Sequence, residues 1–329
     1  MVASAKRKAL ITGASGQDGS YLAEKLLSVG YEVHCVLRNH WFETEGLVPP
    51  NLSISYDHLH LHAGSLENVL GLSRIVREVM PDECYHLAGY SFVEVPFEEE
   101  PTVLASLVSG THALLAAIRE FVPECRFFLA GSSEMIGAAP ESPQSETTAC
   151  RPRSIYGLSK LSGFHIARFY REKYGIYAVT GILYNHESVR RGTQFVTRKI
   201  TQGAAAIKLG RQKSLSLGNI DAVRDWGYAP DYIDAIYRMV QGDEPKDFVI
   251  ATGVGRTVRD LLEVAFGTVG INWQDHVVIE PKFYREIEAV PLIGDARAIE
   301  LELGWNATKP FSEIIEEMVV SDLQLLQKA

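Results

Sequence analysis

The chain has 329 residues, of which 46% are hydrophobic, and a formal net charge of -9 at pH 7. Its length allows one large domain or two smaller ones, and its acidic balance argues against nucleic acid as a partner. No apolar run approaches the length of a membrane span, and the short basic N-terminus leads directly into a strand-like segment. We therefore expect a cytoplasmic protein without a membrane partner.

The four cysteines are scattered and lack the spacing of metal ligands. Three of them, Cys35, Cys84 and Cys125, lie in or beside predicted strands, and the fourth is Cys150. We expect reduced and mostly buried thiols, as is usual in the cytoplasm.

Strand and helix patterns alternate along the chain, beginning with an apolar strand at 8–12 and a helix through Leu22, Leu26 and Leu27. Further strands are predicted at 31–37, 58–62, 83–87, 126–130, 178–183 and 248–251, and further helices at 66–79, at 103–118 and from about Tyr156. In the helix at 103–118, one face carries Leu104, Leu107, Val108, Leu114, Leu115 and Ile118. These βα units predict an α/β fold with a Rossmann-type, doubly wound parallel sheet.

From residue 185 the alternation loosens, which predicts a smaller, interleaved C-terminal domain that binds the substrate. We assign residues 1–184 to the dinucleotide-binding Rossmann domain, with 226–260 returning to it. Residues 185–225 and 261–329 are assigned to the substrate-binding domain.

A glycine-rich turn follows the first strand, with Gly13, Gly16 and Gly19 separated by two residues each. Between a strand and a helix, such a turn lets the pyrophosphate of a dinucleotide approach bare backbone N–H groups at the helix N-terminus. The spacing differs from the Gly-x-Gly-x-x-Gly of many dehydrogenases, and the alternative is a tight turn without a ligand.

The second strand ends at Arg38, where an acidic residue would read the adenosine ribose of NAD. An arginine there favours a 2′-phosphate, and so NADP over NAD, unless Arg38 is an ordinary surface side chain.

The candidate catalytic group joins two segments. Tyr156 and Lys160 share one helix face, and an ammonium there would lower the cost of forming a tyrosinate base. Ser132 and Glu134 follow the strand at 126–130, at the carboxyl edge where ligands bind. The Ser132 hydroxyl could orient a substrate hydroxyl for oxidation.

Glu134 points to a reaction beyond simple oxidation. A carboxylate near the oxidised carbon could remove the proton next to the new carbonyl, which would convert oxidation into elimination. The alternative is a helix-capping or solvated acid.

Three histidines, His58, His60 and His62, alternate on one predicted strand and could suggest a metal. Same-face neighbours on a strand lie roughly 7 Å apart, which is wide for one ion, so we expect no metal site.

With these motifs in place, the chain resembles the extended short-chain dehydrogenases/reductases and, within them, the GDP-mannose 4,6-dehydratases. The resemblance covers almost the whole chain and is most specific at 185–188 and 224–227. The matching segments are 13–20, 132–134, 156–160, 185–188, 190–192, 195–199, 217–219, 224–227 and 251–253.

The resemblance implies a lyase that acts on GDP-mannose through an internal hydride cycle of NADP. Tyr156 would take the proton of the hexose 4-hydroxyl while hydride leaves C4, and Glu134 would remove the C5 proton before water leaves. Return of the hydride to C6 gives a 4-keto-6-deoxy sugar nucleotide. Alternatives are a GDP-heptose 4,6-dehydratase, a reductase of 4-keto sugar nucleotides, and a non-catalytic regulator that senses NADP or a sugar nucleotide.

The resemblance also implies binding residues. Those for the cofactor are Thr12, Gly13, Gly16, Gln17, Asp18, Gly19, Arg38, Ser65, Leu66, Leu87, Ala88, Gly89, Ser91, Tyr156, Lys160, Leu183, His186 and Arg191. Those for the GDP-sugar are Ser91, Glu134, Asn185, Val196, Lys199, Leu217, Gly218, Arg224, Arg285 and Glu288. Without the family match, Arg190, Arg198 and Lys199 could instead be a solvated helix face.

The family dimerises through the helix at 103–118 and the Tyr156 helix, which implies a homodimer. A homotetramer is the alternative, although residues 39–43 replace the arginine- and serine-rich run that helps to build it. Further departures are Ser65 for an aspartate, Ile136 for an aromatic residue and Glu286 for a proline.

Overall fold

The computed structural model describes residues 6–44, 46–280, 282 and 290–328. The strands are β1 (Lys8–Thr12), β2 (Glu32–Leu37), β3 (His60–Ala63), β4 (Glu83–His86), β5 (Arg126–Ala130), β6 (Ala178–Leu183), β7 (Asn185–Glu187), β8 (Leu215–Leu217), β9 (Val223–Tyr228), β10 (Phe248–Ile250), β11 (Gly255–Thr257) and β12 (Val277–Ile279). The helices are α1 (Gln17–Ser28), α2 (His40–Glu43), α3 (Val69–Val79), α4 (Glu100–Leu104), α5 (Gly110–Phe121), α6 (Ile155–Tyr174), α7 (Val196–Lys208), α8 (Ala229–Gln241), α9 (Val258–Thr268), α10 (Arg297–Leu303) and α11 (Phe311–Lys328).

The main sheet contains seven parallel strands in the order β10-β6-β5-β4-β1-β2-β3. The order reverses between β1 and β4, which opens a crevice at the carboxyl ends of these two strands. The predicted Rossmann-type, doubly wound parallel sheet is confirmed.

Helices bury both faces of this sheet. Leu22 and Leu26 of α1 and Ile236 of α8 belong to the core on one face. Ile75 of α3 and Leu114 of α5 belong to the core on the other. All six residues of β6 are buried. This explains why the sequence of this strand lacks the alternation of apolar and polar residues that is typical of a half-exposed strand.

The third strand begins later than predicted. His58 lies in the 3-10 turn Tyr56–His58, and β3 starts at His60, so the three histidines do not share one strand. The prediction that they alternate along a single strand is therefore wrong.

The predicted single face of the helix at 103–118 is also wrong at its start. Ala105–Ser109 form a π-helical turn between α4 and α5. Such a turn accommodates an extra residue and shifts the faces on either side. Val103 is consequently fully buried, whereas Leu104 is 38% exposed.

The stretch Phe97–Phe121 is long and apolar enough to cross a bilayer by length and composition alone, with a mean hydropathy of 1.5. This corrects the expectation that no segment approaches that length. The window is 56% buried within the fold, and core helices of soluble proteins pass the same test.

The chain after residue 184 adds a separate layer. The strands β7, β9 and β11 form one small sheet, and β8 pairs with β12. Helices α7, α9 and α11 enclose a core that includes Ile200, Phe266 and Ile315. By contrast, α8 packs against α1, and β10 completes the main sheet.

In the described part of the chain the four cysteines are free. Cys35, Cys84 and Cys125 are buried, and Cys150 is exposed.

Candidate active site

The glycine turn is sterically required by its neighbours. Gly13 has a φ of +79°, and a Cβ added there would lie 2.7 Å from the backbone nitrogen of Ala88. A Cβ on Gly19 would lie 2.3 Å from the carbonyl oxygen of Gly13. The N–H of Gly16 closes the turn on the same carbonyl at 3.0 Å. The bare backbone at the start of α1 therefore fits a pyrophosphate, because the glycines place no Cβ in front of its N–H groups.

Two side chains at the start of α1 bind β7, far along the sequence. Gln17 Nε2 donates to the carbonyl of His186 at 3.1 Å, and Ser188 Oγ donates to Gln17 Oε1 at 2.8 Å. Asp18 forms an ion pair with His186, with 3.1 Å between Oδ2 and Nε2. These contacts, here called the α1–β7 clamp, bring two predicted cofactor segments together.

In the ion pair of the clamp, His186 is buried and Asp18 is partly buried. Burial alone would raise the pKa of Asp18, but the contacts with His186 lower it to about 2. Burial likewise opposes the charge on His186, but Asp18 raises the pKa of that imidazole above its usual value. His186 also stacks on Tyr232, with ring centroids 4.5 Å apart. The imidazole is thus held in one orientation.

Ser132 and Glu134 lie directly after β5, at the carboxyl edge of the sheet. Ser132 caps the 3-10 turn Ser133–Met135, and its Oγ accepts from the Glu134 N–H at 3.2 Å. A Cβ on Gly157 would lie 2.4 Å from the carbonyl oxygen of Glu134. The first turn of α6 therefore packs directly on the Glu134 turn.

Ser154 fixes where α6 begins, because its hydroxyl accepts from the Gly157 N–H at 3.0 Å. Tyr156 follows in the first turn, is 8% exposed and hydrogen-bonds the Ser132 side chain. Burial raises the pKa of Tyr156 to about 12, although the bond to Ser132 acts in the opposite direction. The phenol is therefore protonated at neutral pH in this arrangement.

Lys160 is buried one turn along α6. Its Nζ donates to the carbonyl of Ala130 at 2.8 Å and lies 5.9 Å from the centroid of the Tyr156 ring. Burial lowers the pKa of Lys160 to about 8. The expected lowering of the Tyr156 pKa by Lys160 is not observed in this arrangement, because the ammonium is bound to the Ala130 carbonyl.

Other predicted cofactor residues line the carboxyl ends of the strands. Thr12 Oγ1 lies 2.7 Å from His86 Nδ1 and accepts from the Ala88 N–H at 3.3 Å. Gly89 precedes the exposed Ser91 after β4, and Leu183 ends β6. Arg38 is exposed after β2, and Ser65 is half-buried after β3.

Two of the predicted cofactor contacts have other partners. Leu66 packs against the core formed by α3 and α5, beside Gly110. Arg191 pairs with the buried Glu187 at 3.1 Å, and its guanidinium lies 3.6 Å from the centroid of the Phe195 ring.

Apart from Ser91 and Glu134, most of the predicted substrate residues lie on β7, α7, β8 and β9. Lys199 Nζ donates to the carbonyl of Ser216 at 2.7 Å, which places it beside Leu217 and Gly218. Val196 begins α7 and is 38% exposed. Asn185 pairs in register with Trp226 on β9, the strand that also carries Arg224. Arg285 and Glu288 lie outside the described residues.

Two of the neighbouring arginines have structural partners, and the interpretation as a solvated helix face is wrong for them. Arg198 is 5% exposed and pairs with Asp322 of α11 at 2.7 Å. Arg190 pairs with Glu24 of α1 at 2.7 Å.

Sequence reasoning missed several residues that shape the site. His86 ends β4 beside Thr12 on the neighbouring strand, and burial lowers its pKa to about 3. Glu187 anchors Arg191, and Tyr232 supports His186. His86 could have been found from its position at the end of a strand. Tyr232 could not, because it lies on α8, which only tertiary packing brings close to His186.

Comparison with known proteins agrees with this geometry. The model of the family described as GDP-mannose 4,6 dehydratase matches residues 10–318. The chain is 44% identical to GDP-mannose 4,6 dehydratase 1 of Arabidopsis thaliana, over 98% of this chain and 91% of that protein. It is 41% identical to the GDP-mannose 4,6 dehydratase of Homo sapiens, over 97% of this chain and 92% of that protein.

Solved structures share the fold at lower identity. A dTDP-glucose 4,6-dehydratase from Bacillus anthracis in complex with NAD matches with a TM-score of 0.83 and 18% identity, over 98% of each chain. A UDP-glucose 4-epimerase from Thermotoga maritima with UDP-glucose matches with a TM-score of 0.84 and 22% identity, over 97% of this chain and 99% of that one. The family match and these identities confirm the resemblance: the chain belongs to the GDP-mannose 4,6-dehydratase family.

Proposed function

We propose that this protein converts GDP-mannose into GDP-4-keto-6-deoxymannose and water. The observation that carries the proposal is the position of Glu134, whose turn packs against the start of α6 beside Ser132 and Tyr156. An oxidoreductase without an elimination step has no need of this carboxylate. The identity of the curated relatives supports the same substrate.

The cofactor we propose is NADP. The glycine turn offers a backbone cradle, and Thr12, Lys160 and His186 lie around the same crevice. When bound, a nicotinamide cofactor would supply hydride acceptance and hydride return. The exposed Arg38 supports NADP over NAD, because a guanidinium suits a 2′-phosphate. Fluorescence titration with NADPH and NADH would test this preference, and equal affinities would contradict it.

The first proton step falls to Tyr156 and Ser132. The Ser132 hydroxyl, already bonded to the phenol, can hold the sugar 4-hydroxyl against Tyr156. Because the pKa of Tyr156 is raised to about 12, the tyrosine needs added positive charge nearby before it can act as a base. Lys160 can supply that charge if its ammonium leaves the Ala130 carbonyl.

The elimination falls to Glu134. Oxidation at C4 makes the C5 proton acidic, so a carboxylate can remove it while the C6 hydroxyl departs as water. Return of the hydride to C6, which a bound nicotinamide would supply, and of a proton from Glu134 to C5 would complete the reaction. The sugar thus loses one water without net oxidation.

The GDP-sugar would lie across β7, α7 and β9, where we propose contacts from Asn185, Lys199 and Arg224. We also propose a cytoplasmic homodimer and keep the domain division at residues 1–184 with 226–260, against 185–225 with 261–329.

The decisive experiment is incubation of the purified protein with GDP-mannose without added reductant, followed by mass spectrometry. Loss of one water without net consumption of cofactor is the expected result. An unchanged sugar nucleotide, with cofactor demonstrably bound, would contradict the proposal. Parallel incubations with a GDP-heptose, and with a 4-keto sugar nucleotide plus NADPH, would identify the two alternatives.

A further inference from the structure

A cluster of titratable side chains lies at the edge of the main sheet opposite the crevice. Glu32 and His34 come from β2, and His60 and His62 come from β3. His34 pairs in register with His60, and their side chains share the face covered by α3. One ligand atom from each of Glu32, His34 and His60 lies within 4.8 Å of the others.

His34 is at the centre of this cluster. Its Nε2 lies 2.9 Å from Glu32 Oε1, and its Nδ1 lies 3.0 Å from His62 Nε2. Its ring stacks on those of His60 and His62, with centroids 4.7 Å and 5.2 Å away.

We propose that Glu32, His34 and His60 bind a divalent transition-metal ion, for which Zn²⁺ is the best fit. Two imidazoles and a carboxylate suit zinc better than magnesium or calcium, which prefer oxygen ligands. Ligand atoms on one tetrahedral zinc ion lie about 3.3 Å apart. The 2.9 Å between His34 Nε2 and Glu32 Oε1 is near this value. The exposed His60 side chain can rotate to bring its ring nitrogen to the same ion.

His62 completes the arrangement without binding the metal. With Nε2 of His34 on the ion, its Nδ1–H would donate to His62 Nε2, the contact already present at 3.0 Å. Such a bond fixes the tautomer and ring orientation of a metal-binding histidine. Water can fill the fourth position, because His60 is on the surface.

Charged neighbours both oppose and favour a cation. Lys8 Nζ lies 3.9 Å from Glu32 Oε1, and zinc would have to displace this ammonium. The Lys8 side chain is 37% exposed and can move into solvent. Glu78 of α3 acts on His62 in the opposite sense, because its negative charge favours a cation.

The spacing along a single strand argues against a shared metal ion, but the spacing between neighbouring strands does not. Same-face residues of a strand lie roughly 7 Å apart, whereas paired residues on adjacent strands lie roughly 5 Å apart. The register between β2 and β3, which the sequence does not reveal, brings His34 to His60. Because the cluster lies at the amino ends of the strands, the ion would tie the edge strand β3 to β2 and take no part in the proposed catalysis.

The test is a zinc titration of the full-length protein after treatment with a chelator, by isothermal calorimetry and thermal unfolding. We expect one Zn²⁺ per chain and a higher melting temperature. His60→Gln should weaken binding at least tenfold, roughly the effect of a lost ligand or its support. His58→Gln is the matched control, because His58 is exposed two residues away and outside the cluster.

Cobalt substitution gives a second readout that does not depend on stability. Visible Co²⁺ bands of a nitrogen- and oxygen-coordinated ion should appear in the wild-type and His58→Gln proteins and vanish in His60→Gln. Equal zinc affinity in the wild-type and His60→Gln proteins would overturn the proposal, as would the absence of saturable zinc binding. Because His60 is exposed, we expect its replacement to leave folding intact.

Discussion

At the residue scale, Glu134 distinguishes dehydration from simple oxidation. Glu134→Gln keeps the shape of the side chain and removes its basicity. We expect the dehydration rate to fall by roughly 10²–10⁴-fold, the usual contribution of a general base. Partial reduction of bound cofactor on addition of GDP-mannose should remain measurable by absorbance.

Glu124→Gln is a suitable control, because Glu124 is an exposed carboxylate away from the crevice. Full dehydratase turnover in the Glu134→Gln variant would refute the proposed role.

The Asp18–His186 pair predicts a pH-dependent contribution to stability. The pKa of Asp18 is lowered from 3.8 to about 2, so its contribution is present above about pH 4 and is lost as the pH falls. The pKa of His186 is raised above 6.5, so its contribution is present below 6.5 and is lost as the pH rises through the folded value. Asp18→Asn should cost about 2 kcal/mol near pH 5 and less near pH 9.

Urea unfolding at both pH values measures this difference. Asp57→Asn, at an exposed position, should change little. A deficit of Asp18→Asn that grows toward alkaline pH would show that the pair does not behave as described.

At the scale of elements, the cost of a steric clash in the glycine turn can be distinguished from the cost of a left-handed backbone conformation. Gly13 and Gly30 both have positive φ, +79° and +90°, but a Cβ meets neighbouring backbone only at Gly13. Gly30→Ala should cost about 1–2 kcal/mol for the left-handed conformation alone. Gly13→Ala should cost a further 1–3 kcal/mol or so, because the loop after β4 must move.

Chemical denaturation of the two variants gives the comparison directly. Equal losses of unfolding free energy would mean that the approach of Ala88 to Gly13 contributes nothing.

Local pattern predicted the central strands well and the sheet edge less well. The bounds of β1, β5 and β6 agree with the predicted 8–12, 126–130 and 178–183, because buried parallel strands are uniformly apolar. The predicted start of β3 is wrong, because His58 lies in the 3-10 turn before the strand. The π-helical turn at Ala105–Ser109 has no sequence signal in the 3.6-residue period and displaced Leu104 from the core.

The positions of candidate site residues were predictable where these residues belong to a sequence motif. Ser132, Glu134 and Tyr156 were expected at the carboxyl edge, and the structure places them there. The partners of Asp18, Arg191 and Lys160 could not be predicted as contacts, because they depend on tertiary packing. The raised pKa of Tyr156 likewise depends on burial, which a motif does not report.

At the scale of the whole molecule, the exposed face of α6 is part of the interface of the proposed homodimer. Leu158 is 45% and Phe169 is 51% exposed, and they lie about three turns apart on that helix. Leu158→Asp combined with Phe169→Asp should convert a dimer into a monomer of 36.5 kDa, because charges cannot be buried unpaired at an interface. Analytical ultracentrifugation measures the mass.

Leu301→Asp controls for a charge at an exposed apolar position, since Leu301 is 85% exposed on α10. If the wild-type protein is monomeric, or if the double variant remains dimeric, the proposed interface is wrong.

The α1–β7 clamp also has a consequence for folding. Gln17 and His186 are 169 residues apart, so their bond closes a very long loop, and we expect it to form after the intervening strands are in place. During synthesis, the glycine turn is made early, but its partner strand emerges only when more than half of the chain has been translated. The crevice is therefore completed late, and a nascent chain that stops before β7 carries the phosphate cradle without the histidine that locks it.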